Sequence, residues 1–190
     1  MRVKKNMQIG IMGPDIGELP KDKLKRRYVL ATAERLGSIA AGRGAVVLTG
    51  GTGGVMEYAS KGAKASGGIT IGVPGRERGA SNRYVDVEIL TDIDVGSFIF
   101  GGMLGCDAII FIPGGAGTLA ELCIAYRLRK RCIIMKGFDS WYDSKINGYI
   151  DSSKKVKLLG AASPEEAINM AFNADKSEKA RPCAQNIYKK

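Results

Sequence analysis

Two short stretches hold most of the residues able to do chemistry. Gly50-Gly51-Thr52-Gly53-Gly54 and Pro113-Gly114-Gly115-Ala116-Gly117-Thr118 each follow an apolar run and lead into a segment with helical periodicity. A strand, a glycine turn and a helix start together make an anion site. The first backbone N–H groups of a helix have no intrahelical acceptor, the helix dipole is positive there, and glycine lets a ligand approach closely. Gly13, at the end of the first apolar run, is a further candidate of the same kind. Thr118 adds a hydroxyl toward a bound phosphate, and Thr52 can do likewise. Glu57 and Glu121 stand in the first turn or so of the helices that leave the two loops. A carboxylate there complements the helix dipole or faces the ligand that the loop holds. Glu121, so compactly arranged with its strand and loop, is the candidate catalytic group.

Neither loop is a Walker loop, because no Gly-Lys-Ser/Thr follows at the needed spacing. Gly115-Ala116-Gly117-Thr118-Leu119-Ala120 does fit the dinucleotide fingerprint G-x-G-x-x-G/A, with Asp139 as its only candidate acidic ribose partner. The chain contains no histidine, which excludes a His-based triad, a His general base and any His-containing metal site. Cys106, Cys123, Cys132 and Cys183 include no C-x-x-C pair, and no metal site is expected. The first three lie in apolar segments and read as buried thiols, while Cys183 reads as a free thiol in a polar tail.

Stepping outward to the elements, 190 residues with 45% apolar and 25% charged side chains suit one ordinary domain, read as residues 1–173 with a polar, frayed tail over 174–190. No run has the length of a membrane span and no signal segment opens the chain, so the expected address is cytoplasmic. Apolar strands are read at Met7–Met12, Ala45–Thr49, Ile69–Val73, Val85–Leu90, Asp107–Ile112 and Cys132–Met135. Helices are read at about Lys21–Ala41, Val55–Ala65, Phe98–Gly105 and Thr118–Arg129. A last one opens at the capping signature Ser163-Pro164-Glu165-Glu166. Strands that are apolar throughout and alternate with helices require a parallel sheet covered on both faces. The expected fold is therefore α/β, a Rossmann-like doubly wound sheet, with ligands at the carboxyl ends of its strands.

Pro113-Gly114-Gly115-Ala116-Gly117-Thr118-Leu119-Ala120-Glu121 resembles the PGGxGTxxE signature of the LONELY GUY proteins. That resemblance implies nucleoside 5′-monophosphate phosphoribohydrolases, often mislabelled lysine decarboxylases. Gly50-Gly51-Thr52-Gly53-Gly54-Val55-Met56-Glu57 and Gly67-Gly68-Ile69-Thr70-Ile71-Gly72-Val73-Pro74-Gly75 are more similar still to a related branch, the molybdenum-cofactor carrier proteins. The resemblance implies a homodimer and a nucleoside monophosphate or molybdopterin-type ligand. A decarboxylase fails on chemistry, because no lysine lies between Tyr84 and Tyr126 to form a Schiff base. The hydrolases pair their glutamate with an arginine in the preceding helix, and that position is held here by Phe98, with Arg76, Arg78 and Arg83 as the nearest substitutes by topology.

The expectation is thus a protein that binds a phosphorylated, nucleotide-like small ligand at the two glycine loops, with the balance leaning away from an enzyme. The alternatives are a phosphoribohydrolase using Glu121 and a non-specific nucleic-acid-binding protein. The formal charge of +10 divides as 15 basic and 10 acidic residues in 1–95 and 14 and 9 in 96–190, so each half carries +5. Its clusters, Lys21–Arg27, Arg127–Arg131 and Lys154–Lys157, lie beside or on helices and read as solvated faces, which makes nucleic acid an unexpected partner. Any binding to DNA should be weak and indifferent to sequence, and should fall steeply between low and physiological salt in a filter-binding titration. Sequence-selective binding that survives physiological salt would contradict this reading.

Overall fold

The computed structural model describes residues 6–91 and 102–173. Seven parallel strands form one sheet in the order β4-β3-β2-β1-β5-β6-β7. They are β1 (Gln8–Met12), β2 (Val46–Thr49), β3 (Thr70–Gly75), β4 (Val87–Leu90), β5 (Ala108–Phe111), β6 (Arg131–Met135) and β7 (Leu159–Ala161). Chain order runs outward from β1 in one direction through β4, then returns to β1's other side at β5. The reversal between β1 and β5 is the topological switch, and the backbone beyond their carboxyl ends diverges there to leave a crevice.

Period-two side-chain alternation along buried strands divides the core in two. Ile9, Ile11, Val47, Ile110, Ile112 and Ile133 face one way and pack with α1 (Lys23–Gly42), α2 (Val55–Ala65) and the C-terminal helix. Met12, Leu48, Ile109, Phe111, Cys132 and Ile134 face the other way, where Leu122, Ala125 and Tyr126 of α3 (Ala116–Arg127) cover them. The remaining α-helices among the described residues are the single-turn α4 (Ser140–Asp143) and α5 (Pro164–Phe172). The doubly wound architecture expected from the apolar strands is the one observed.

Caps set the helix boundaries. The Asp22 carboxylate accepts from the Lys25 N–H at 2.8 Å, so α1 starts at Lys23 rather than Lys21. Ser163 caps α5 as read, accepting from the Glu166 N–H at 3.1 Å, while the Glu166 carboxylate reaches back to the Ala162 N–H at 2.6 Å. Four expectations need correction. β3 runs on through Pro74 to Gly75, because its register against β4 shifts between Gly72 and Gly75. The three-residue β7 and the single-turn α4 are too short to carry a periodic signal. Cys123 is half-buried rather than buried, unlike Cys106 and Cys132. Of the helix read over Phe98–Gly105, the described part is a 3-10 turn at Met103–Gly105. Phe98, Cys183 and the tail from 174 lie outside the described residues. Among those described, no helix is long and apolar enough to cross a membrane.

The two helices on the α1 face meet backbone to backbone at glycines that the sequence reading did not single out. A Cβ on Gly37 of α1 would overlap the Ala59 carbonyl of α2, and one on Gly62 would overlap the Glu34 carbonyl. Overpacking of this kind costs about 1–3 kcal/mol. Gly37→Ala should therefore lower the melting temperature by several degrees. Gly42→Ala in the same helix, with nothing within 4 Å of the added methyl, should leave it unchanged or raise it. Equal melting temperatures for the two variants would show that the helices do not depend on this approach.

Candidate functional site

Both glycine loops and the loop after β1 converge at the switch point. The β1 loop is wedged between the other two. A Cβ on Gly13 would lie 3.0 Å from Val55 Cγ1 and 3.1 Å from the Ile112 carbonyl, and one on Gly114 would lie 3.0 Å from Pro14 Cδ. Gly54 has φ of +62°, and a Cβ there would come within 2.5 Å of the Pro14 carbonyl. Only glycine satisfies that position, on both backbone conformation and space.

The two glycine loops differ in what their polar groups do. At Gly50–Gly54 they are partly spent within the protein, while the N–H groups of Thr52, Gly53 and Gly54 have no acceptor among the described residues. The Gly51 N–H donates to Thr49 Oγ1 at 3.1 Å, and the Asn82 side chain donates to the carbonyls of Gly51 and Thr52 at 2.8 and 2.9 Å. The Val55 N–H, first in α2, donates to the Pro14 carbonyl at 3.1 Å. The Thr52 hydroxyl is directed to Met56 Sδ at 3.4 Å.

At the other loop the polar groups are held in reserve. α3 begins at Ala116, two residues ahead of the expected Thr118, with Gly115 as its N-cap and no side-chain cap. The N–H groups of Ala116, Gly117 and Thr118 have no acceptor among the described residues, and Gly115 to Gly117 are exposed. Behind them Thr118 is 2% exposed, and its Oγ1 has no hydrogen-bond partner. That oxygen lies 2.6 Å from where a Cβ on Gly114 would be. The buried Tyr142 hydroxyl pins the loop by donating to the Gly114 carbonyl at 3.2 Å. Asp139, considered above as a ribose partner, caps α4 instead, accepting from the N–H groups of Trp141 and Tyr142 at 2.8 and 3.2 Å.

A cleft of about 130 Å³ opens between the ends of β1 and β5. Pro113, Gly114 and Gly115 line it, as the motif predicts; Pro14, Glu18, Pro20, Val29, Phe138 and Asp139 complete it. These latter residues went unassigned in the sequence. The available signal was topological, since the loop after β1 forms half of any switch-point crevice. Among the described residues, no lysine or arginine lines the cleft. Arg83 instead stacks on Tyr84 with its guanidinium 4.9 Å from the ring centroid, and donates to the Tyr84 hydroxyl at 2.7 Å.

Glu121 sits in the second turn of α3, 5% exposed, with no hydrogen bond among the described residues. Burial, with a contribution from the nearby Glu18 charge, pushes its carboxyl up to about 8. Glu57, in the first turn of α2, is half-buried beside the other loop.

The sequence profile of the SLOG cluster4 family matches residues 6–168. An uncharacterized protein of Archaeoglobus fulgidus is 35% identical over 132 residues, which are 70% of this chain and 82% of that one. The molybdenum cofactor binding protein of the phototrophic bacterium Rippkaea orientalis is 30% identical. The match covers 89% of this chain and 97% of that one, with a TM-score of 0.75. The molybdenum cofactor carrier protein of Chlamydomonas reinhardtii is 28% identical, covering 93% and 100%, with a TM-score of 0.74.

The Glu121 carboxyl makes the stability of the fold depend on pH. Unfolded, it titrates near 4.5, and folded at about 8. Between those values the folded state holds a proton that the unfolded state has lost. The stability it confers is complete below about 4.5 and is lost as pH rises through about 8. Glu121→Gln removes the ionisation, so the variant's melting temperature should gain on the wild type as pH goes from about 5 to about 8.5. A difference that does not change with pH would show that Glu121 titrates normally.

Proposed function

The chain belongs to the SLOG cluster4 family, and from that premise we propose that it binds a phosphorylated, pterin-type small ligand whose phosphate sits at the N-terminus of α3. The observation that carries this reading is Thr118 Oγ1, a buried hydroxyl without a partner beside three unpaired amides, of which those of Ala116 and Gly117 belong to exposed residues. An orphaned buried hydroxyl costs about 1–3 kcal/mol, and an anion at that point satisfies it together with the amides. The ligand class is supported by the relatives in Rippkaea orientalis and Chlamydomonas reinhardtii, which are described as binding or carrying molybdenum cofactor.

The residues present suit such a group. Backbone amides and one hydroxyl supply the anion's hydrogen bonds without lysine or arginine, and apolar Pro14, Pro20, Val29 and Phe138 beside them accommodate a flat ring. In this reading Gly114, Gly115, Ala116, Gly117 and Thr118 contact the phosphate. Pro113 turns the chain into the loop. Gly13 and Gly50 to Gly54 act one step back, allowing the close approach of the β1 loop that shapes the cleft.

The reading is one of binding rather than hydrolysis. Cleaving an N-glycosidic bond develops positive charge on the ribose, which an ionised carboxylate stabilises. Glu121, with its carboxyl pushed up to about 8, is neutral at pH 7 and supplies little of that charge. Release of free base from nucleoside monophosphates should accordingly be absent or very slow.

Thr118→Val keeps the shape of the side chain and deletes the hydroxyl. Calorimetric titration with guanosine 5′-monophosphate should show affinity reduced by roughly tenfold, as expected for a hydrogen bond to a charged group. The melting temperature of the free protein should hold or rise, because Oγ1 has no protein partner to lose and its unpaired burial is relieved. Unchanged affinity in a folded variant would overturn the assignment of the phosphate to this helix.

A further inference from the structure

The cleft between β1 and β5 is acidic in a protein whose formal charge is +10. Two charged side chains line it, Glu18 and Asp139. Asp139 is committed to the N–H groups that start α4. Glu18 is exposed, and its carboxylate accepts no hydrogen bond and pairs with no cation among the described residues. It stands over the start of α3, with Oε1 3.0 Å from where a Cβ on Gly115 would lie. Opposite are apolar surfaces of Pro14, Pro20 and Val29, and Phe138, whose ring is stacked on Tyr28 at 5.1 Å and 15°.

An anion held by the amides of Ala116 to Thr118 has nothing to gain from Glu18, so the carboxylate serves another part of the ligand. A carboxylate accepts and cannot donate, and its two oxygens match two parallel N–H donors. The 2-amino-4-oxopyrimidine ring shared by pterins and guanine presents that pair, an exocyclic amine beside a ring N–H. Adenine presents an amine beside a ring nitrogen lone pair, which would face the carboxylate with repulsion. The apolar walls and the Phe138 ring supply a surface on which a flat bicycle can lie.

We propose that Glu18 is the specificity-determining residue of the cleft, accepting the paired N–H donors of a 2-amino-4-oxopyrimidine ring that packs against Phe138. This rests on the reading that a phosphorylated ligand occupies the start of α3, where the unpartnered Thr118 hydroxyl independently marks a ligand position. Sites built to hydrogen-bond a substrate group reject analogues lacking it, because the site's own polar group is then left unpaired.

Guanosine and adenosine 5′-monophosphates carry the same ribose and phosphate, so their affinities isolate the ring. Calorimetric titration of the full chain at neutral pH should favour the guanine nucleotide by tenfold or more. Glu18→Gln, in which the amide now pairs as well with adenine as with guanine, should bring the ratio to about one or invert it. The same variant should bind the adenine nucleotide at least as tightly as the wild type, since a negative charge near the phosphate is gone. Glu18 is exposed, and an unchanged melting temperature confirms that the variant is folded. Equal affinities in the wild type, or a preference that survives Glu18→Gln, would overturn the role of Glu18. If Thr118→Val still weakened both nucleotides, the phosphate site itself would stand. Binding of neither nucleotide would overturn both.

Discussion

Close backbone approach at the end of β1 is the constraint on which the rest depends. The loop Gly13–Glu18 is held between two glycine loops, with the Val55 N–H bound to the Pro14 carbonyl, no space for a Cβ at Gly54 and only a tight fit for one at Gly13. The parallel sheet puts β2 and β5 on either side of β1, so their glycine loops flank whatever follows β1. Small residues are what let three loops share that space, and the cleft is what the wedged loop leaves open toward β5 and β6.

The electrostatics of the site follow from the same packing. The groups proposed to hold the anion are neutral dipoles, three helix N–H groups and a hydroxyl, and among the described residues the cleft beside them is lined by carboxylates and no cation. Like charge and burial together keep Glu121 protonated at neutral pH, which reconciles an acidic residue in the helix core with a proposed phosphate nearby. An anion site made of amides and a neutral acid has little net charge of its own. Affinity at such a site would rest on preorganised hydrogen bonds.

Much of this was legible in the sequence, for identifiable reasons. Short apolar runs such as Asp107–Ile112, alternating with helical segments, read as strands buried on both faces, so the doubly wound sheet followed from them. The family match bears out the resemblance drawn from Pro113–Glu121 and Gly50–Glu57. The similar appearance of the two glycine loops hid their difference. Whether an N–H group is spent on Thr49 or Pro14, or a carbonyl on the Asn82 side chain, depends on tertiary contacts, and spacing carries no trace of them. Glu18 and Phe138 escaped notice because they lie 120 residues apart and meet only at the switch point. Gly37 and Gly62 were not singled out, because their use in helix packing shows only in three dimensions.

The central claim is that α3, and not α2, offers its N-terminus to the ligand. Backbone amide resonances of the uniformly labelled protein, followed during titration with guanosine 5′-monophosphate, test it directly. The account predicts that the largest and earliest shifts fall on Ala116, Gly117 and Thr118, with Gly51 and Val55 nearly still because their N–H groups are already bonded within the protein. Shifts concentrated at Gly50 to Gly54, or confined to the basic face around Lys21 to Arg27, would contradict it.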